Sequence, residues 1–177
     1  MVAFLLMRHG QPDFSGLRAL GVDGWPVDLA PLDSSGEKQV IDRIHQITDF
    51  APELIISSPV TRTLHTAAVV LSRVHVPLRV EFQLYDWLPD LGLQRLTMSE
   101  LRARSSEFNS LKGEWPSGET RSWETYSMMR IRVLSVLGKY RDYQRVLVVS
   151  HQEPIRSVTG KNEVGLAELL AFDLSPV

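Results

Sequence analysis

Short apolar runs separated by amphipathic stretches make up most of the chain. Runs at Val2 to Met7, Leu54 to Ser57, Leu78 to Phe82 and Val146 to Ser150 have the length and the Leu, Ile and Val content of buried strands. A weaker candidate covers Leu169 to Leu174. The segments between them read as helices. Asp33 or Ser34 caps one that runs to Phe50, with Val40, Ile44 and Ile47 at helical spacing. Ser58-Pro59 opens a second, with Pro at the first helical position, continuing through Ala67, Ala68 and Leu71. Thr97-x-x-Glu100 is a capping-box pattern for a third, and a fourth is expected over Ser122 to Tyr140. Strands alternating with helices predict an α/β fold, a three-layer sandwich whose mainly parallel central sheet carries helices on both faces. Gln11 to Pro31, Tyr85 to Leu96 and Asn109 to Arg121 have no periodicity. Long loops of this kind in a compact domain usually carry function.

Composition narrows this picture. A chain of 177 residues with 44% hydrophobic content suits one domain spanning 1–177. The formal charge of -2 provides no global basic field, so neither nucleic acid nor an anionic membrane is an expected partner. Any anion site must be local. Without Cys there is no disulfide, thiolate nucleophile or Cys-based zinc site, and a reducing compartment, the cytoplasm, is the expected location. Val2 to Met7 is too short for a signal segment, and no apolar run approaches the roughly 20 residues that span a bilayer. The pattern leaves the oligomeric state open.

On this map the reactive residues fall at equivalent places. Arg8 and His9 follow the first strand, Arg62 lies near the start of the helix after the second, and His151 follows the fourth. Ligands of open α/β sheets bind outside the carboxyl ends of strands, so these four side chains are expected to converge. Two guanidiniums suit the three equatorial oxygens of a transferring phosphoryl group, and a helix N-terminus beside Arg62 adds donors and dipole. An imidazole between guanidiniums should have its cationic form disfavoured by like charge, leaving a neutral nucleophile. His9 is therefore the expected nucleophile, with a phosphohistidine intermediate, and His151 an oxyanion-stabilising donor. The leaving alkoxide needs a proton. Asp86, between Tyr85, Trp87 and Leu88, is the candidate acid, its pKa raised by that apolar wall, with Asp90, Glu119 and Glu153 as rivals. Gln11, Ser58 and Gln152 are further expected substrate contacts beside Arg8 and Arg62. No His or carboxylate spacing suggests a metal, and no cofactor is expected.

Several ordered blocks resemble the histidine phosphatase superfamily, the phosphoglycerate mutase-like proteins. They are Leu6-Met7-Arg8-His9-Gly10-Gln11, Asp28 to Gln39, Ser57 to Ala67, Gly118-Glu119-Thr120 and Val146 to His151. The resemblance implies a metal-free phosphoric monoester hydrolase of the histidine acid phosphatase type, with Arg8, His9, Arg62 and His151 forming the phosphate pocket. Its substrate would be a small phosphorylated metabolite or a phosphoprotein. Asp86 falls where the family usually has Glu, and Gln152-Glu153-Pro154 replaces the small residues common after the second His, putting a carboxylate near an anion site. Glu153 would then repel phosphate or select substrates bearing a cation. With no long insertion to close over an intermediate, hydrolysis is favoured over a mutase reaction. A mutase, or a silent phospholigand-binding regulator, is the alternative.

Other residues have plainer readings. His45, His65 and His75 are expected on helix surfaces or ends. Trp25, Trp87, Trp115 and Trp123 are expected to pack under the loops, with lining of a substrate mouth as the alternative. Arg102-x-Arg104 and Lys139 to Arg145 read as solvated faces.

Overall fold

The computed structural model describes residues 2–21 and 25–174, with the backbone alone at 25 and 26. Five strands form one sheet in the order β3-β2-β4-β1-β5: β1 (Ala3–Arg8), β2 (Leu54–Ser57), β3 (Leu78–Val80), β4 (Arg145–Ser150) and β5 (Leu169–Asp173). All neighbours pair in parallel except β5, which runs antiparallel to β1 at one edge. The apolar runs bury both faces because strand side chains alternate. Phe4, Leu6, Leu54, Ile56, Val146 and Val148 join one core cluster, whereas Met7, Ile55, Leu147 and Val149 join the other. The mainly parallel three-layer sandwich is thus the observed architecture.

Helices α2 (Ser34–Ile41), α3 (Ile44–Phe50) and α4 (Thr61–Leu71) cover the second face through Val40, Ile47, Ala67 and Val70. Helices α6 (Tyr126–Gly138) and α7 (Gln152–Thr159) cover the first through Val133, Val136, Ile155 and Val158. Helix α5 (Met98–Ser110) has the expected capping box, Thr97 with Glu100. It supports a third cluster of Phe108, Trp123 and Met129, against which Trp87 and Trp115 pack.

Several boundaries differ from expectation. The helix expected from Asp33 or Ser34 to Phe50 breaks at Asp42-Arg43, where Arg43 N bonds Val40 O in a tighter turn at 3.0 Å. Pro59 precedes α4 rather than opening it, because Val60 is the extended N-cap. Helix α6 starts at Tyr126, not Ser122, since the Thr125 hydroxyl caps Met128 N. The third strand stops at Val80, and Phe82–Leu84 forms a 3-10 turn. The Gln11 to Pro31 loop contains α1 (Ser15–Ala19) and a 3-10 turn, Trp25–Leu29. Helix α7 was not anticipated at all. Among the described residues, no helix is long and apolar enough to cross a membrane.

Candidate active site

Strand register puts the reactive residues side by side. Arg8 lies opposite Ser150, and the ladder continues beyond the strands as His9 N donates to Ser150 O at 3.1 Å and Ser58 N to Val149 O at 3.0 Å. The carboxyl ends of β1, β4 and β2 therefore present Arg8-His9, His151 and Ser58 in one row. His9, Ser58, Arg62 and His151 are all buried, and the two imidazoles meet edge to face with centroids 5.3 Å apart. The turn after His9 is pressed against the first turn of α2. A Cβ on Gly10 would sit 2.5 Å from Gly36 O, and one on Gly36 would sit 2.3 Å from Gln11 O, so only glycines allow this backbone contact. Gly10 N also donates to Thr66 Oγ1 at 3.2 Å, and that hydroxyl donates to Arg62 O at 2.8 Å, which ties α4 to the same turn.

The hydrogen bonding of His9 assigns its tautomer. Nδ1 lies 2.7 Å from Gly10 O, a carbonyl that only accepts, so Nδ1 carries the proton and Nε2 the lone pair. Burial, with smaller repulsion from Arg62 and Arg8, lowers its pKa to about 4, so the ring is neutral at pH 7. Burial, rather than the like charge anticipated from sequence, is the larger cause.

His151 and Asp86 form the second half of the cluster. Ser58 Oγ is 2.8 Å from His151 Nε2, while His151 Nδ1 is 3.3 Å from Asp86 Oδ2 but too poorly aligned for a hydrogen bond. The Asp86 charge favours the tautomer in which Ser58 donates to Nε2 and Nδ1–H faces the carboxylate. Burial holds the His151 pKa well below its ordinary value, against the opposing pull of Asp86. Asp86 accepts from Arg62 Nη2 at 3.0 Å and Trp87 N at 2.8 Å. Its expected raised pKa is corrected by these contacts. Burial pushes the carboxyl up, but His151, Arg62 and the Trp87 N–H outweigh it and hold it at about 2. The side chain is still 31% exposed, which limits the effect of burial.

Arg62 is shared further. Its Nη1 donates to Asp28 Oδ1 at 3.0 Å, and the Tyr85 hydroxyl donates to Asp28 Oδ2. Burial and this bond raise the Tyr85 pKa, keeping it a donor. Arg8 donates through Nη1 to Gln152 Oε1 at 2.9 Å and Val164 O at 2.6 Å, whereas its buried Nε has no partner. Ser58 and Gln152, expected as substrate contacts, thus hold His151 and Arg8. Gln11 turns its amide onto Pro12 O at 3.2 Å and bonds none of the clustered side chains.

The rival carboxylates are occupied elsewhere. Asp90 pairs with Arg104 at 2.7 Å, and Glu119 with Arg121 at 2.6 Å. Glu153 accepts both Arg156 Nη1 bonds, at 3.1 and 2.9 Å, and the Tyr126 hydroxyl, so its charge is largely compensated. Arg104 also donates to Pro89 O, and so tethers the 85–96 loop rather than sitting on a solvated face.

A cleft of about 520 Å³ opens from Arg62 and Asp86. Val27, Phe82, Trp87, Leu88, Leu93 and Leu101 form much of its wall. The side chain of Trp25 lies outside the described residues. Trp87 donates to Glu124 O while lining the cleft, and Trp115 and Trp123 pack inside the third cluster. His45 is exposed on α3. His65 on α4 accepts Leu32 N at 3.1 Å, and His75 lies beyond that helix. Among the described residues no group of three or more His, Asp or Glu side chains is placed to hold a metal ion.

Three contributors were not recognised from sequence. Asp28 sits in an aperiodic loop, and its signal is that it opens the Asp28 to Gln39 block. Thr66, one helical turn beyond Arg62, lies within the Ser57 to Ala67 block, with no role indicated by its spacing. Arg132 on α6 grips Glu124 at 2.6 and 2.9 Å and donates to Tyr85 O and Asp86 O at 2.8 and 3.1 Å, bracing the loop that carries Asp86.

Comparison with known proteins places this arrangement. The chain belongs to the histidine phosphatase superfamily, branch 1, whose family profile matches residues 4–176. A branch 1 match does not extend to the histidine acid phosphatase type expected from the motif blocks. The chain is 24% identical to the uncharacterised phosphatase PhoE of Bacillus subtilis over 96% of its own length and 81% of PhoE. It is 26% identical to the adenosylcobalamin/alpha-ribazole phosphatase of Escherichia coli over 83% of its length and 72% of that protein. Among solved structures, a mycobacterial glucosyl-3-phosphoglycerate phosphatase shares the fold with a TM-score of 0.73 at 18% identity, covering 97% of this chain and 90% of that one.

Proposed function

We propose that the chain is a metal-independent phosphatase of phosphomonoesters that works through a phosphohistidine on His9. The neutral His9, with Nδ1–H held by Gly10 O and Nε2 free, is the observation that carries this reading. Phosphate binds between Arg8, Arg62 and His151, with Arg8 Nε available as a further donor. Nε2 attacks phosphorus in line, the P–O ester bond breaks, and the leaving oxygen takes a proton from Asp86. Water then attacks phosphorus, forming a P–O bond as the P–N bond breaks, gives its proton to the Asp86 carboxylate, and inorganic phosphate leaves with His9 restored.

Asp86 must be protonated for the first step, although it is ionised in the free protein. The incoming phosphate competes for Arg62 and adds negative charge beside the carboxylate, and both effects raise its pKa. A monoanionic ester also brings the proton it needs. The phosphatase names of the relatives support hydrolysis over transfer and a small phosphorylated metabolite as substrate, and the cytoplasm suits such a substrate. The test is hydrolysis of p-nitrophenyl phosphate in EDTA with rapid quenching. Turnover without metal and an acid-labile phosphoenzyme that disappears in His9→Ala are expected, and full activity in His9→Ala would overturn the assignment.

A further inference from the structure

The cleft beside the phosphate pocket has a charge inventory that restricts what phosphate can be attached to. Its ionisable walls are Asp28, Asp86, Asp90 and Glu153 against one base, Arg62. Arg62 already serves Asp28 and Asp86, and phosphate is its expected third partner. Two arginines nearby are taken too, Arg104 by Asp90 and Arg156 by Glu153. Among the described residues that line the cleft, no base is therefore left unpaired for a second anionic group on the substrate. An added carboxylate or phosphate would lose hydration in a partly enclosed space whose lining carboxylates, Asp28, Asp86, Asp90 and Glu153, already hold the nearby bases, and so would gain no ion pair in return.

The remaining wall is apolar, and part of it is exposed without a structural reason. Phe82 and Leu93 are 66% and 69% exposed at the rim, and Leu93 holds the left-handed φ of 54° that an L side chain rarely adopts. Exposed apolar side chains clustered at the edge of a cleft mark a surface that is covered when the site is filled.

We infer that the group released from phosphate is an uncharged alcohol or phenol with an apolar body, and that esters bearing a second anion are rejected. The inference rests on the phosphatase reading and names the substrate class for the same site. It separates this chain from a glucosyl-3-phosphoglycerate type of substrate, whose glycerate carries a carboxylate.

Two aryl esters of similar shape and leaving-group strength test it, 4-isopropylphenyl phosphate and 4-carboxyphenyl phosphate. The isopropyl ester is expected to have kcat/KM higher by about 100-fold. Leu93→Arg, at an exposed position, is expected to narrow that ratio to within about tenfold by supplying the missing cation, and Phe82→Arg to act in the same sense. Equal kcat/KM for the two esters, or a ratio untouched by both arginine variants, would overturn the inference while leaving the phosphatase reading intact. If neither ester turns over, the phosphatase reading fails alone. The cleft is then tested by affinity, with 4-isopropylbenzylphosphonate expected to bind more tightly than 4-carboxybenzylphosphonate, and equal dissociation constants refuting the inference.

Discussion

The phosphate pocket and the apolar cleft meet at Arg62 and Asp86, yet they are built from different materials. The pocket sits on strand ends and first helical turns, and its polar groups are cross-linked: His9 to Gly10, Ser58 to His151, Arg8 to Gln152. The cleft is walled largely by the segments from Phe82 to Leu101 and by Val27, and among its side chains Phe82 and Leu93 are largely exposed. Rigid elements suit a group whose chemistry never varies, and loops suit the part of the substrate that does. On the proposed reading, chemistry and choice are thereby separated, with Arg62 and Asp86 serving both.

The largest expected effect tests that separation directly. His9→Ala should lower turnover by about 10⁴-fold or more, as loss of a covalent nucleophile does elsewhere, while the affinity for 4-isopropylbenzylphosphonate stays within a few-fold. A parallel loss of affinity, measured by calorimetry, would show that the two regions are not independent. Asp86→Asn should come next. For an alkyl phosphate, whose leaving oxygen needs a proton, the expected loss is about 10²–10⁴-fold, and for p-nitrophenyl phosphate it is far smaller. Similar losses for both esters would remove Asp86 from the proton-donor role.

Acidity probes the pocket alone. For p-nitrophenyl phosphate, whose leaving group needs no proton from Asp86, kcat/KM reports the free enzyme and should fall about tenfold per pH unit below about 4 as His9 takes up its proton. Stability should fall earlier. The unfolded His9 protonates near 6.5 and the folded one near 4, so between these values the unfolded state binds more protons and stability declines with falling pH. Denaturant midpoints across that window should show a shallower slope in His9→Gln. Smallest of all, Asp28→Asn should tighten inhibition by inorganic phosphate about three- to tenfold, because it frees one face of Arg62. No change in the inhibition constant would mean that Asp28 does not compete with phosphate.

What could be read from the sequence follows the same division. Arg8, His9 and His151 were legible because each directly follows a strand, and a strand end is a fixed address in an α/β sheet. Arg62 was legible from a Ser-Pro segment after another strand, even though the helix itself begins at Thr61. Helix α7 lies in a stretch, Gln152-Glu153-Pro154 onward, whose sequence pointed only to a carboxylate near an anion site. Pro154 lies in the first turn, where its missing N–H removes no helical bond, and Ile155, Val158 and the left-handed Gly160 were the available signals. The ionisation of Asp86 differs from expectation because its sequence neighbours are apolar, whereas the groups that hold its pKa down, His151 and Arg62, come from other elements. Asp28 had no periodic pattern to place it, and the cleft, made by tertiary packing of loops, left almost no linear trace.

The contact between Gly10 and Gly36 has a consequence for heat. Side chains change rotamer readily at ordinary temperatures, while two peptide backbones at van der Waals contact have no rotamer to change. The turn bearing the imidazole is thus spaced by the thickness of the main chain itself. Warming is expected to loosen the exposed Phe82 and Leu93 rim before it moves that turn, so the kcat/KM ratio of the two aryl esters should shrink with temperature before turnover itself falls, as rate measurements on both esters across a temperature series would show.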